Sequence, residues 1–255
     1  MQFVTVEGDR GVLAITLNRP PVNAMTMQFY EEVSQAFETA GSDKSVRCIV
    51  LASACEKAFS AGLDLKEFIA TSSADADQAR SDVVARMFSA VENTPVPTIV
   101  AVDGPALGAA CVLTSVCDIR IASRRASFGL PEINVGRCGG GAHFGRHVPP
   151  GVLRHMFFTA ERMSAEDAFR LGYVQKLVAN EELMDVTRET ARLIAGKSPV
   201  ALRLGKKALN ECEGLPVEEG YRIEQSYSAQ LYHSPDAKEA ARAVLERREP
   251  VFLDP

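Results

Sequence analysis

What the chain lacks narrows the kinds of protein it can be. None of its apolar runs approaches the roughly 18 residues that span a bilayer, and the start, Met1 to Glu7, has no basic segment followed by an apolar one. Positive charge is not in excess, because 28 Lys and Arg face 33 Asp and Glu, for a formal net charge of −5. Nucleic-acid binders usually gather Lys and Arg on a basic face. We therefore expect a cytoplasmic protein with no membrane segment and no nucleic-acid partner.

Cysteine and histidine are few and scattered. The six cysteines include no C-x-x-C pair and lack the density of a secreted disulfide scaffold. The four histidines, His143, His147, His155 and His233, show no metal-ligand spacing with Cys or acidic residues. We expect reduced, mostly buried thiols and no metal.

Several cofactor and nucleophile motifs are also missing. The segment ARLIAGKS has Ala191 where a phosphate-binding loop needs its first glycine, and Pro199 follows it directly. In GRCGGGAHFGR, Ala142 and Phe144 spoil the two possible registers of a dinucleotide fingerprint. No G-x-S-x-G elbow is present. The absence of these motifs argues against a bound redox nucleotide cofactor and against a serine hydrolase.

What is present is typical of a globular α/β protein. The chain has 255 residues, of which 46% are hydrophobic, enough for a substantial core. Its start predicts a hairpin from Phe3–Val6 and Val12–Leu17, followed by a helix that Thr26 caps. Strand-like and helix-like segments then alternate until Val178, after which the pattern is helical. This predicts a mixed core, residues 1–195, with a C-terminal helical region, residues 196–255.

One polar stretch inside the predicted core interrupts the apolar periodicity. It reads TSSADADQARSD, from Thr71 to Asp82. Such composition is typical of segments that bury little apolar surface. We expect a mobile surface segment here.

Two turns, FSAGLD and GPALGAAC, share an unusual design. Each leads from a strand through small residues into a helix start, where backbone N–H groups lack intrahelical partners. Small side chains let a ligand approach the backbone, and a helix start favours negative charge. Either turn alone is more simply explained by tight packing. Together they could direct two donors at one anion.

A series of motifs in one order resembles the crotonase family, the enoyl-CoA hydratase/isomerase superfamily. The matching segments cover nearly the whole chain: RPPVNAM, AFSAGLDLKEF, VDGPALGAACVLTSVCDIRIAS, FGLPEINVG, RMSAEDAFRLGYVQKLV and ERREPVF. The resemblance implies a spiral of ββα units with a C-terminal helical trimerisation region. It also implies a homotrimer or a hexamer made of two trimers. The implied substrate is an acyl-CoA thioester, so CoA enters with the substrate and no separate cofactor is expected.

The same resemblance assigns roles to particular residues. The amides of Leu63 and Ala109 would hold the thioester oxygen, and Glu132 would move the proton. A loop glutamate is otherwise usually a solvated surface charge. The implied substrate-binding positions, with the adenine end of CoA near residues 57–59, are Ala24, Lys57, Ala58, Ala61, Gly62, Leu63, Asp64, Leu65, Leu107, Gly108, Val112, Pro131 and Gly140.

One position departs from the pattern of the two-carboxylate members. Val112 stands where they carry their first acidic residue. Hydration benefits from two carboxylates, whereas moving a double bond needs one group that takes a proton from C2 and returns it at C4. We therefore expect an isomerase that converts 3-enoyl-CoA to 2-enoyl-CoA. Hydratase, hydrolase, decarboxylase or lyase activity and a non-catalytic acyl-CoA binder remain open alternatives, and the acidic balance disfavours a nucleic-acid-binding offshoot.

A few other polar residues have competing interpretations. Gly139 and His143 replace a proline and a threonine of the commoner family segment, so Arg137 or His143 could reach the acyl pocket. Helix capping or solvent exposure is the more usual role of such residues. Asp64 and Asp118 lie at predicted element boundaries, where capping a backbone N–H is the simpler role.

Overall fold

The computed structural model describes residues 1–70 and 73–252, and it begins with the predicted hairpin. Strand β1, Val4–Asp9, pairs antiparallel with β2, Val12–Leu17, in a register that joins Asp9 to Val12. Arg10 and Gly11 form the turn with positive φ values of 50° and 81°. Thr26 then caps the first helix through a hydrogen bond from Phe29 N. Both predictions are confirmed.

Short strands and helices make up the rest of the chain. The further strands are β3 Ala24–Met25, β4 Cys48–Ser53, β5 Gly62–Leu63, β6 Thr98–Val102, β7 Pro105–Leu107, β8 Ile119–Ser123, β9 Ser127–Gly129, β10 Met163–Ser164 and β11 Lys176–Val178. The helices are α1 Met27–Ser42, α2 Leu65–Ala70, α3 Ala74–Glu92, α4 Ala109–Ser115, α5 Gly141–Phe144, α6 Pro150–Thr159, α7 Ala165–Arg170, α8 Leu183–Ala195, α9 Pro199–Cys212, α10 Val217–Tyr232 and α11 Pro235–Glu246. Two 3-10 turns cover Pro131–Val135 and Asn180–Glu182.

The strands form a spiral of repeated units. The large sheet has the order β1-β2-β4-β6-β8-β11, and every pair after the hairpin is parallel. After β4, β6 and β8 the chain adds a short strand to a smaller sheet, β5, β7 or β9, before the next helix. This is the expected arrangement of ββα units.

Strand β4 shows why the central strands read as continuous apolar runs. Ile49 and Leu51 face the core that also contains α1 and α3. Cys48, Val50 and Ala52 face the opposite side, where Leu183 and Ala191 of α8 cover them. A parallel strand covered on both faces needs apolar residues at every position.

The prediction of a mobile polar segment at residues 71–82 is wrong for residues 73–82. Ser73 caps α3 by accepting a hydrogen bond from Ala76 N, and Asp75 and Asp77 occupy the first helical turn. The apolar side of α3 that packs into the core appears only later, with Met87, Phe88 and Val91 buried. Tertiary packing of the second half therefore extends a helix into a polar first half. Thr71 and Ser72 lie outside the described residues.

The region after residue 195 is helical, as predicted. Helix α8 ends at Ala195, and α9 joins the core through Lys206, whose ammonium lies 2.8 Å from the Asp118 carboxylate. Asp118 also accepts hydrogen bonds from Thr98 N and Oγ1. The division into two units at this boundary stays a prediction. Within residues 1–70 and 73–252, no helix is both long and apolar enough to cross a membrane.

Arg120 on β8 fixes the C-terminal end of α4. It is 4% exposed, and its guanidinium donates to the carbonyls of Thr114, Cys117 and Tyr173. Because α4 also carries Ala109 at its other end, this buried cation positions a predicted site residue.

We expect Arg120→Met to lower the free energy of unfolding by about 2–4 kcal/mol, because buried carbonyls would lose their donors. Thermal and urea denaturation at fixed protein concentration would measure this. Arg124→Met, at an exposed position directly after the same strand, serves as the control. Equal stability of the two variants would contradict the assigned role of Arg120.

Candidate active site

The two glycine-containing turns meet in space. Gly62 on β5 has a φ of +78°, and a methyl group added there would come within 2.3 Å of Leu107 O and 3.4 Å of Ala109 N. Gly62 and residues 107–109 are far apart in the sequence, but their backbones approach so closely that no side chain fits at position 62. We call this contact the crossing. Only glycine allows β5 to approach the start of α4 so closely.

Both predicted amide donors are free of the local hydrogen-bond ladders. Asp64 N donates to Met25 O of β3, and successive amides of a strand alternate in direction, so Leu63 N points away from β3. In α4 the first intrahelical bond runs from Val112 N to Gly108 O. Ala109 N therefore has no intrahelical partner. Two donors from distant parts of the chain thus lie at one crossing.

The carboxyl group of Glu132 lies beside this crossing. A methyl group added at Gly108, the residue before Ala109, would come within 3.0 Å of Glu132 Oε1. The other oxygen, Oε2, is buried and has no hydrogen-bond partner among residues 1–70 and 73–252. Burial raises the pKa of Glu132 above its ordinary value, and a hydrogen bond from its own backbone N–H opposes that rise only in part.

Two cavities adjoin the crossing and have some lining residues in common. We call the first the α3 cavity, because Arg80, Val84 and Phe88 of α3 line it; its volume is about 420 Å³. We call the second the α2 cavity, because Leu65 and Lys66 at the start of α2 line it; its volume is about 730 Å³. The residues common to both walls are Leu63, Ala109, Glu132 and Val135. The crossing is therefore open to two compartments.

Most of the predicted site residues line these cavities. The α2 cavity includes Ala24, Ala61, Leu63, Asp64, Leu65, Gly108, Ala109, Pro131 and Glu132. The α3 cavity includes Val112 and Gly140, with Val112 only 2% exposed. Gly62 and Leu107 form the crossing itself, behind the lining residues.

Lys57 and Ala58 lie apart from both walls. Ala58 is buried against Gly104, where a methyl group would come within 3.2 Å of Ala58 Cα, and Lys57 is exposed. Their contact with the adenine end of CoA stays a prediction.

Asp64 has the capping role that its position suggested. Its carboxylate accepts hydrogen bonds from Lys66 N and Glu67 N, and it forms an ion pair with Arg19 at 2.9 Å. Hydrogen bonds from these amides and from Arg19 hold the pKa of Asp64 below its ordinary value, although burial opposes them as the largest single influence. The Asp64 carboxylate, which lines the α2 cavity, is therefore already bound by these amides and by Arg19.

Sequence reasoning missed several residues of the α3 cavity. Tyr30 of α1 is 1% exposed and lines this cavity, and burial raises its pKa above its ordinary value. Arg80 and Phe88 also line it. Arg80 carried no functional signal, because it belongs to the polar stretch that the sequence predicts to be a mobile surface segment. Arg137 and His143 do reach the cavity, and the His143 ring packs against Phe88 at 5.4 Å.

Comparison with known proteins identifies the family. A family model described as enoyl-CoA hydratase/isomerase matches residues 7–255. The chain belongs to the enoyl-CoA hydratase/isomerase family. It is 34% identical to carnitinyl-CoA dehydratase of Salmonella enteritidis over 248 residues, 94% of each chain. It is 32% identical to short-chain-enoyl-CoA hydratase of Clostridium acetobutylicum over 249 residues, 96% of this chain and 95% of that one.

A solved structure supports the same assignment. The enoyl-CoA hydratase of Mycobacterium smegmatis superposes with a TM-score of 0.94 at 34% identity, covering 98% of each chain. The crotonase-type α/β spiral is thereby confirmed. The protein is an enzyme of the hydratase/isomerase superfamily that acts on CoA thioesters.

Proposed function

We propose that this family member is an isomerase that converts 3-enoyl-CoA to 2-enoyl-CoA. In this proposal Leu63 N and Ala109 N donate to the thioester oxygen, and Glu132 carries the proton. In the bound thioester the acyl chain occupies the α3 cavity and the CoA moiety extends through the α2 cavity. The observation that carries the proposal is that the Glu132 carboxylate, which makes no ion pair within the described residues, lies at the crossing that both cavities share.

Other carboxylates of the cavity walls are engaged elsewhere. Within the described part of the chain, Glu92 in the α3 cavity pairs with Arg146, and Asp64 in the α2 cavity pairs with Arg19. Val112 supplies only methyl groups at the position where the family resemblance places the first acid of the two-carboxylate members. A single proton carrier fits a transfer between two carbons of one substrate better than the addition of water.

The proposed reaction balances with Glu132 alone. Its carboxylate removes a proton from C2, and the electron pair of that C–H bond moves toward C1, so that negative charge develops on the thioester oxygen. The two amides stabilise this charge. The protonated Glu132 then gives the proton to C4, the C3–C4 double bond becomes C2–C3, and no water is consumed.

The direct test is incubation of the purified protein with a 3-enoyl-CoA, with the products followed by mass and ultraviolet absorbance. We expect a product of unchanged mass in ordinary water, with the ultraviolet absorbance of a conjugated thioester. Incubation with 2-enoyl-CoA should give little product heavier by one water. Rapid hydration of 2-enoyl-CoA would contradict the proposal and favour the activity named for the Clostridium acetobutylicum relative.

The pH dependence should reveal the raised pKa of Glu132. The base works only when ionised, so a raised pKa means that activity is lost at a higher pH than for an ordinary glutamate. We expect kcat/KM for the 3-enoyl-CoA to fall as the pH drops through that raised value. The affinity for a saturated acyl-CoA, measured across the same range, controls for ionisation of the substrate. A rate that stays constant down to the ordinary glutamate pKa would contradict the role of Glu132.

A further inference from the structure

The α3 cavity contains a group of charges that proton transfer at C2 and C4 does not use. Arg80 and Arg137 both line this cavity, and both guanidinium groups bind Asp77 at 2.6 Å and 2.8 Å. Asp77 and Arg80 lie one turn apart on α3, whereas Arg137 follows the 3-10 turn that carries Glu132. Two elements therefore bring their cations to one place.

An aromatic ring holds the two arginines in position. The guanidinium carbon of Arg80 lies 5.4 Å from the centre of the Phe68 ring, and that of Arg137 lies 5.2 Å from it. Both contacts are within the range of cation–π interactions. Stacking of this kind leaves the N–H groups at the edges of a guanidinium free to bind ligands in its plane.

The charges in this group do not balance. One carboxylate binds two guanidinium groups, so the three side chains together carry a net charge of +1, and the Glu132 carboxylate lines another part of the same cavity. The Arg80 side chain is only 12% exposed. An anionic ligand in the cavity would balance the net charge of this group, and the two guanidinium groups would donate hydrogen bonds to it.

The remaining wall suits a hydrocarbon chain. Leu63, Val84, Phe88, Val112 and Val135 line the same cavity. Arg137 N donates to Glu132 O, while the Arg137 side chain extends from there to Asp77 on α3. A methylene chain that starts at the crossing would therefore pass apolar side chains and meet the arginines.

We infer that the acyl group of the substrate ends in a carboxylate, which Arg80 and Arg137 bind. The substrate class is then the mono-CoA thioesters of dicarboxylic acids. A guanidinium fork fits a carboxylate in two parallel hydrogen bonds, and such charged bonds are stronger in a partly desolvated site. The inference rests on the proposed function only for the placement of the thioester at the crossing.

Binding of saturated thioesters tests this without any turnover. Isothermal titration calorimetry would compare succinyl-, glutaryl- and adipyl-CoA with butyryl-, pentanoyl- and hexanoyl-CoA, and with the methyl ester of each distal carboxylate. We expect at least one dicarboxylic thioester to bind about ten- to a hundredfold more tightly than its methyl-ended counterpart. The methyl ester, which keeps the oxygens but not the charge, should bind like the methyl-ended chain.

Variants test whether the two arginines cause the preference for a carboxylate-ended acyl group. Arg137→Gln, and Arg80→Gln if it folds, should abolish the preference while leaving the affinity for the methyl-ended thioester within a few fold of the wild type. Arg86→Gln is the matched control, because Arg86 lies on the same helix but pairs with Glu38 outside this cavity. It should keep the full preference.

Each outcome has a defined meaning. Equal binding of charged and methyl-ended thioesters by the wild type, or a preference that survives Arg137→Gln, would overturn the inference. Isomerase activity is measured separately with 3-enoyl thioesters. A carboxylate preference without isomerisation would therefore overturn the proposed reaction and leave the inference standing. Isomerisation without a carboxylate preference would overturn the inference and leave the proposed reaction standing.

Discussion

Replacement of Glu132 by Gln should reduce kcat for isomerisation of 3-enoyl-CoA by about a hundred- to ten-thousandfold, the usual contribution of a general acid–base group. The amide keeps the size of the side chain but cannot accept the C2 proton. Because Glu132 makes no ion pair in the described part of the chain, the affinity for a saturated acyl-CoA should change little. Steady-state kinetics and calorimetry would measure the two effects separately.

Glu92→Gln provides the comparison for this result. Glu92 lines the same α3 cavity, but its carboxylate pairs with Arg146 at the exposed end of the wall. We expect a far smaller loss of kcat in this variant. A comparable loss in both variants would show that Glu132 is not the specific proton carrier, and full activity of Glu132→Gln would favour a reaction that needs no carboxylate there.

Replacement of Gly62 by Ala should reduce kcat by about a hundred- to a thousandfold, as loss of an oxyanion donor does in other enzymes. The added methyl group would lie 2.3 Å from Leu107 O, so β5 and the start of α4 must move apart. This movement would separate Leu63 N from Ala109 N. We expect the loss mainly in kcat, because the amides contribute most when charge develops on the oxygen.

Gly172→Ala separates this crowding from backbone strain. Gly172 has a φ of +80°, close to the +78° of Gly62, but no atom of the described residues lies within 4 Å of a methyl group added there. Both variants therefore bear a similar strain of about 1 kcal/mol. Gly172→Ala should keep kcat near the wild-type value while its melting temperature falls slightly. Equal loss of kcat in the two variants would contradict the role of the crossing.

Much of the local structure was predictable because short-range physics controls it. The Thr26 cap, the hairpin turn and the capping of α7 by Ser164 depend on residues within a few positions of each other. The helical breaks before Pro199 and Pro235 follow from the missing N–H and fixed φ of proline. In contrast, residues 74–82 are helical because the helix continues into a second half that packs on the core from Val83 onward, which a local reading of polar residues does not capture.

The site divides in the same way. The sequence by itself determined the family, the glycine at position 62 and the absence of an acid at position 112, because each is a matter of residue type along the chain. Only the tertiary structure decided that the turns of Gly62 and Ala109 cross, and that Glu132 lies beside them with a buried oxygen that has no partner in the described part of the chain. It also decided that Arg80 and Arg137 share Asp77 in one cavity wall. Contacts between residues so far apart depend on how the spiral winds, and no local spacing in the chain encodes that winding.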